Sequence, residues 1–128
     1  MEKNKVIARF KDGTLLKGYT DDFFPNKKYF HLQPLNGEIV EIETELLKAL
    51  FFVKDFEGNK DHKESYTDAV PGGGRKVQIT FKDGEEVIGY SQGFSRERPG
   101  FFVIPADTQS NNERFYVVAS ATEKVAFL

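Results

Sequence analysis

The residues of this 128-residue sequence whose types could do chemistry are two histidines, a pair of adjacent aspartates, a glycine-rich stretch and a group of arginines. His31 falls in a strand-like segment and His62 in a polar stretch. Nucleophilic catalysis of the Ser/His/Asp kind needs a base held between a nucleophile and an orienting acid. No such grouping is legible around either histidine. Asp21-Asp22 has the form of paired carboxylates or half a metal site, but its counterpart in the second copy is Gln92-Gly93, and a solvated loop is the better reading. The chain has no cysteine, so it has no thiolate ligand, disulfide or Cys nucleophile, and its histidines have no zinc spacing. Pro71-Gly72-Gly73-Gly74-Arg75-Lys76 looks like a phosphate loop. It lacks the Gly-Lys-Ser/Thr end and leads into a strand rather than a helix, so it reads as a flexible connection. The expectation is a non-catalytic protein with no metal and no cofactor.

The arginines carry a sharper signal. Arg96 and Arg98 share one loop, and Arg114 opens a later strand beside Asn111-Asn112. Guanidinium forks suit phosphate and carboxylate recognition, and such groups commonly act from loops on a rigid scaffold. Arg96, Arg98, Asn111, Asn112 and Arg114 are therefore the candidate ligand-binding residues. The plain alternative is that the arginines pair with Glu97, Glu113 or backbone. A cyclic-dinucleotide site of the PilZ type does not fit: Arg96 and Arg98 are two apart, and Asp107-Thr108-Gln109-Ser110 has the wrong spacing.

Aromatic pairs are the other candidates. Phe23-Phe24, Phe51-Phe52 and Phe101-Phe102 are adjacent in strand-like runs, where neighbours point to opposite faces. One of each pair belongs to a core; the other needs a sister unit or a partner to cover it. Phe24, Phe51, Phe52 and Phe102 are the candidate partner-binding residues.

The elements that must position these groups are strands. Thirteen Phe and five Tyr without any Trp favour half-buried pleated surfaces. Val6, Ala8 and Phe10 alternate with polar neighbours, as Val77, Ile79 and Phe81 do, and a period of 2 marks a strand with one buried face. Asp12-Gly13 and Asp83-Gly84 follow as tight-turn signals. Shifting the chain by 71 residues lays 5–35 on 76–106, with Phe10-Lys11-Asp12-Gly13 on Phe81-Lys82-Asp83-Gly84 and Gly18-Tyr19 on Gly89-Tyr90. Beyond four extra residues near Asp107–Asn112 the offset becomes 75, placing Val40 and Ile42 on Phe115 and Val117. This register predicts an internal duplication. Each copy reads as five strands: 6–11, 15–23, 29–33, 38–43 and 49–54, with counterparts near 77–82, 86–94, 100–104, 114–118 and 124–128. A helical turn at Thr44–Lys48 (Ala119–Glu123), capped by the Thr44 hydroxyl, precedes the fifth. The predicted organisation is all-β: a first small barrel over 1–54, a polar glycine-rich linker over 55–75 anchored at Phe56 and Tyr66, and a second barrel over 76–128.

The Phe-Lys-Asp-Gly run, followed by Leu16 or Val87 and by Gly18 or Gly89, resembles the first motif of Sm-like small barrels. The helical turn before strand five is also seen in SH3-like barrels. With the phrases Gly93-Phe94-Ser95-Arg96-Glu97-Arg98-Pro99-Gly100-Phe101-Phe102 and Ser110-Asn111-Asn112-Glu113-Arg114, the chain is similar to uncharacterised bacterial domains of unknown function. The resemblance implies tandem five-stranded Sm-like or SH3-like barrels. It does not imply RNA binding, since the Arg-Gly phrase before the last strand is replaced by Leu46-Leu47-Lys48-Ala49 and Ala121-Thr122-Glu123-Lys124.

A net charge of −2 counts against broad nucleic-acid binding, which needs a basic field. No apolar run approaches a membrane span, and Met1-Glu2-Lys3-Asn4-Lys5 leads straight into a strand with no signal region. These features predict a cytoplasmic protein that binds a protein partner. Recognition of RNA or a phosphorylated ligand by the arginine loops is the alternative, and self-association is left open.

Overall fold

A computed structural model describes residues 3–58, 74–91, 93–95, 97–107 and 109–128. The fold is all-β. Ten antiparallel strands run in chain order: β1 (Asn4–Phe10), β2 (Leu15–Thr20), β3 (Tyr29–Pro34), β4 (Val40–Glu43), β5 (Leu47–Val53), β6 (Arg75–Phe81), β7 (Glu86–Ser91), β8 (Gly100–Pro105), β9 (Asn112–Val118) and β10 (Thr122–Phe127). They form one continuous sheet in the order β10-β6-β7-β8-β9-β5-β1-β2-β3-β4. Among the described residues there is no α-helix, only single 3-10 turns at Thr44–Leu46 and Ala119–Ala121.

The first hairpin shows why the sequence folds locally as it does. Gly13 donates to the Phe10 carbonyl at 3.0 Å and Phe10 donates to Thr14 O at 2.9 Å, which is the three-residue hairpin loop. Its last position needs a positive φ, and Gly13 supplies it at 93°. The Asp12 carboxylate accepts from the Thr14 amide and hydroxyl at 2.9 and 2.6 Å, closing the turn. Gly84 (φ 94°) and Asp83 repeat the device between β6 and β7. Gly18 and Gly89 serve a different purpose. A Cβ on Gly18 would stand 2.2 Å from Gln33 O, and one on Gly89 2.5 Å from Ile104 O. The second strand of each half must cross closely over the third, and the two share only two register pairs in either half.

The halves join where β5 pairs with β9: Ala49 with Val117, Leu50 with Tyr116 and Phe51 with Phe115. Because side chains alternate, this ladder feeds two cores at once. Leu50, Phe52, Tyr116 and Val118 enter a core with Val6, Ala8, Phe30 and Leu32. Phe51, Phe115 and Val117 enter the other, with Val77, Ile79 and Phe101. Lys48 crosses the seam as well. Its ammonium is nearly buried, 2.7 Å from Asp83, hydrogen-bonded to Glu85 and 4.6 Å from the centre of the Phe81 ring.

Three expectations change. In place of two barrels packed as a pair, the strands form a single open sheet, because β5 and β9 hydrogen-bond edge to edge and their side chains enter both cores. The 3-10 turn at Thr44 begins from Glu43 with no side-chain cap; the Thr44 hydroxyl is buried without a partner instead. The second strand ends at Thr20 and Ser91 rather than near 23 and 94, because those hydroxyls turn to the carbonyls of His31 (2.7 Å) and Phe102 (3.0 Å). Of the expected linker, 59–73 with Tyr66 lies outside the described residues. Its beginning does not trail: the Phe56 ring meets Tyr19 edge-on at 5.3 Å, and Lys17 Nζ donates to its carbonyl.

Candidate functional site

Two loops in equivalent places, the one after β2 and the one after β7, face each other across the seam. Between them lies a cleft of about 480 Å³. Pro25 and Asn26 come from the first loop, Arg98 and Pro99 from the second, and Phe102, Ile104 and Tyr116 from the strands beneath. Phe23 fixes the first loop. Its ring meets Phe30 and Tyr116 at 5.1 Å and Phe52 and Phe102 at about 6 Å, all tilted or edge-on. With Phe23 turned inward, Phe24 is turned out and remains 49% exposed, with Lys27 Nζ 4.9 Å above its ring. The second loop closes on itself: Arg98 N donates to Ser95 O at 3.2 Å.

The cleft wall is largely apolar, and its polar side chains are those of Asn26, Tyr90, Arg98 and Tyr116. Among the described residues no Asp or Glu lines it. The Arg98 side chain is exposed, and among the described residues it has no acidic partner. The Tyr116 phenol is 1% exposed and its hydroxyl has no hydrogen-bond partner. Burial, with a lesser contribution from Glu45, raises its pKa above 10.0 and keeps the proton on. Gly100 makes room for it, since a Cβ there would stand 2.4 Å from the Tyr116 hydroxyl.

The candidate residues fare differently. Arg96 lies outside the described residues. Arg98 reaches the cleft, whereas Arg114 stacks over the rings of Phe52 (4.4 Å) and Phe102 (4.9 Å). Asn111 is a clamp: it accepts from Asp55 N at 3.1 Å and donates to Asp55 O at 2.8 Å. Asn112 pairs with Val53 in the ladder and borders a smaller cavity of about 220 Å³ on the Arg9–Phe51 side. Phe52 is 5% exposed and Phe51 and Phe102 are partly buried against the two cores; Phe102 still presents part of its ring to the cleft, and of the four only Phe24 is exposed.

His31 and Asp22 do come together, which the sequence did not suggest. His31 Nδ1 lies 2.7 Å from Asp22 Oδ2 and Nε2 lies 3.5 Å from Glu41. Asp22 Oδ1 also accepts from His31 N and from the Thr20 hydroxyl. Both histidine nitrogens therefore face acids, and among the described residues no nucleophile completes a triad. Among the described residues no cluster of three or more His, Asp or Glu could hold a metal ion, and no helix is long and apolar enough to cross a membrane.

Tyr90, Ile104 and Tyr116 were not foreseen as site residues. For Tyr116 a signal existed: the 75-residue offset sets it opposite Glu41, and a change that large between matched positions marks a place where the halves do different work.

Fold and site together define a small all-β protein with an apolar cleft between two halves and no assembled catalytic group among the described residues. The chain belongs to a family of unknown function, DUF6982, whose model matches residues 2–128. No curated protein and no solved structure matches it.

Proposed function

We propose that this protein is a non-catalytic binding module that captures a protein partner at the cleft between the loops after β2 and β7. The observation that carries this reading is the cleft itself, an apolar concavity of about 480 Å³ lined by Pro25 and by Arg98, which has no acidic partner among the described residues, with the exposed Phe24 next to Pro25 in the same loop. Concave, mostly apolar sites with a few oriented polar groups are where proteins take ligands, and an exposed aromatic beside such a site is a frequent anchor. We further read the two halves as copies of one unit, each a small Sm-like or SH3-like barrel left open so that its last strand or its fourth can pair with the sister copy. The ladders support this: Val6–Gly18 and Gly18–Pro34 pair as Val77–Gly89 and Gly89–Pro105 do, 71 residues on.

The test is capture from nuclease-treated host lysate by wild type, Ile104→Glu and Phe24→Ser. Ile104 and Phe24 are 36% and 49% exposed, so both variants should fold. A protein retained by wild type and lost by Ile104→Glu supports the cleft. A partner held equally by all three sinks it. Capture that disappears with nuclease would favour the RNA reading of the arginine loop.

A further inference from the structure

This inference rests on the cleft being the binding site, and it concerns what enters. The walls supplied by Pro25, Pro99, Phe102 and Ile104 call for a flat apolar body, and the volume suits one large aromatic group. Asn26 and Tyr90 add polar side chains to the lining, but Arg98 carries its one formal charge among the described residues, and it is a hydrogen-bond donor. The Arg98 guanidinium stands beside Gly93, its Nη1 3.4 Å from where a Cβ would be, so the missing side chain leaves it room. The Tyr116 hydroxyl lies buried behind Gly100, out of reach of an occupant. With no acid among the described residues lining the cleft, an occupant bearing a cation would find no counterpart there.

We propose that the cleft takes an aromatic residue of a partner segment together with its own or an adjacent carboxylate, the ring lying against Phe102 and Ile104 and the carboxylate meeting Arg98. A planar carboxylate matches the guanidinium fork. A phosphate is the weaker match. It would call for a second cation, and among the described residues the Arg114 guanidinium is already stacked on the Phe52 and Phe102 rings.

The absence of Trp from the chain makes the test direct, because the indole of a probe is then the only one in solution. N-acetyl-L-tryptophan and N-acetyl-L-tryptophanamide share the ring and differ in the charge. Their binding to the full chain is followed by indole fluorescence anisotropy and by the amide NMR shifts of Gly93, Gly100 and Phe102. The acid is expected to bind roughly tenfold more tightly than the amide, the range of one charge-assisted pair, and its affinity to fall with salt. Arg98→Gln should abolish that preference while leaving the amide bound. Equal binding of acid and amide would overturn the carboxylate and leave the cleft reading standing. Absence of shifts at all three amides with either probe, at millimolar concentration, would overturn both. Tighter binding of adenosine monophosphate than of the indole acid would also overturn the proposal and favour a phosphate site.

Discussion

The sheet has two mated strands in its middle and two unmated strands at its ends, and by sequence they are matched pairs. β5 corresponds to β10 and β9 to β4, at the offset of 75. Every residue of β5 except Phe51 is buried, whereas in β10 none is. Phe52 is 5% exposed and its counterpart Phe127 is 42%, covered only in part by Arg75, whose guanidinium lies 4.2 Å from the ring centre. The same contrast separates β9, with Phe115 to Val118 all buried, from β4, where only Ile42 is. If the end strands of two chains paired as the middle strands do, Glu41 would take the place of Tyr116. Glu123, in the place of Lys48, would approach Asp12, in the place of Asp83. One seam has a cation between two acids; the other would bring acids together. Charged edges are a common device against unwanted strand pairing, so one repeated pattern is made cohesive at the centre and repellent at the ends by a few substitutions.

The largest effect is expected where the seam joins both cores. Phe115 is 3% exposed and lies 5.3 Å from Phe51, centre to centre. Phe115→Ala should cost about 3–5 kcal/mol, a large share of a small protein's roughly 5–15 kcal/mol. Chemical denaturation checks this, and a loss below about 1 kcal/mol would mean that the two halves do not depend on the seam.

Next in size is the charge at its centre. Asp83→Asn with Glu85→Gln leaves the Lys48 ammonium, 9% exposed, without a counter-ion. Stranding a buried charge costs roughly 3–5 kcal/mol; here about 2 kcal/mol is expected, because both carboxylates are half hydrated in the native protein. Lys48→Met with the same two changes should recover most of the loss. No recovery would show that packing rather than charge placed Lys48 there.

The ends provide a gain-of-function counterpart. The protein is expected to be a monomer by light scattering, and Glu41→Tyr with Glu123→Lys, which copies the central seam at the ends, should strengthen self-association roughly tenfold, about 1.4 kcal/mol. A wild-type chain already associated through β4 and β10 would contradict the contrast between centre and ends.

Much of this was legible in the residues. Asp12-Gly13 and Asp83-Gly84 located the hairpins, because a positive φ after an aspartate has few other uses. Period-2 alternation located the strands and showed that Phe51 and Phe52 face opposite ways. It could not say that both faces of β5 are interior, since a second core and a partner's surface make the same demand on a side chain. The joined sheet therefore had to come from the structure. So did the cleft, because Pro25 and Arg98 meet only through the packing of Phe23 on Tyr116 and Phe102, a contact between halves with no local signature. Arg114 shows the limit from the other side: the sequence marks it as a cation in a strand, and only the two rings beneath it separate its role from that of Arg98.

The smallest effect sits at the unmated edge, where His31 on β3 faces Glu41 on β4 in the ladder. The hydrogen bond to Asp22 chiefly, with Asp22 and Glu41 as nearby charges, raises the His31 pKa above 6.5. Asp22 is pushed up by partial burial but pulled down further by the hydrogen bonds from His31 and Thr20, so that it ends below 3.8. The signs follow from linkage. A raised histidine stabilises fully below 6.5 and loses that contribution as pH rises through its folded value, and a lowered aspartate stabilises fully above 3.8 and loses it as pH falls. The pair therefore supports the edge most between about pH 4 and 6.5. NMR titration of the His31 ring should give a midpoint above 6.5 that returns toward it in Asp22→Asn, with a melting temperature slightly higher at pH 5.5 than at pH 8.5 in wild type only. Protonation also places a positive charge beside Glu41, so the repulsion that keeps the β4 edge unmated should weaken in the same window. A self-association constant for Glu123→Lys that rises as pH falls from 8 to 6 would place that control in His31, and one that ignores pH would assign the repulsion to Asp12 and Glu123 alone.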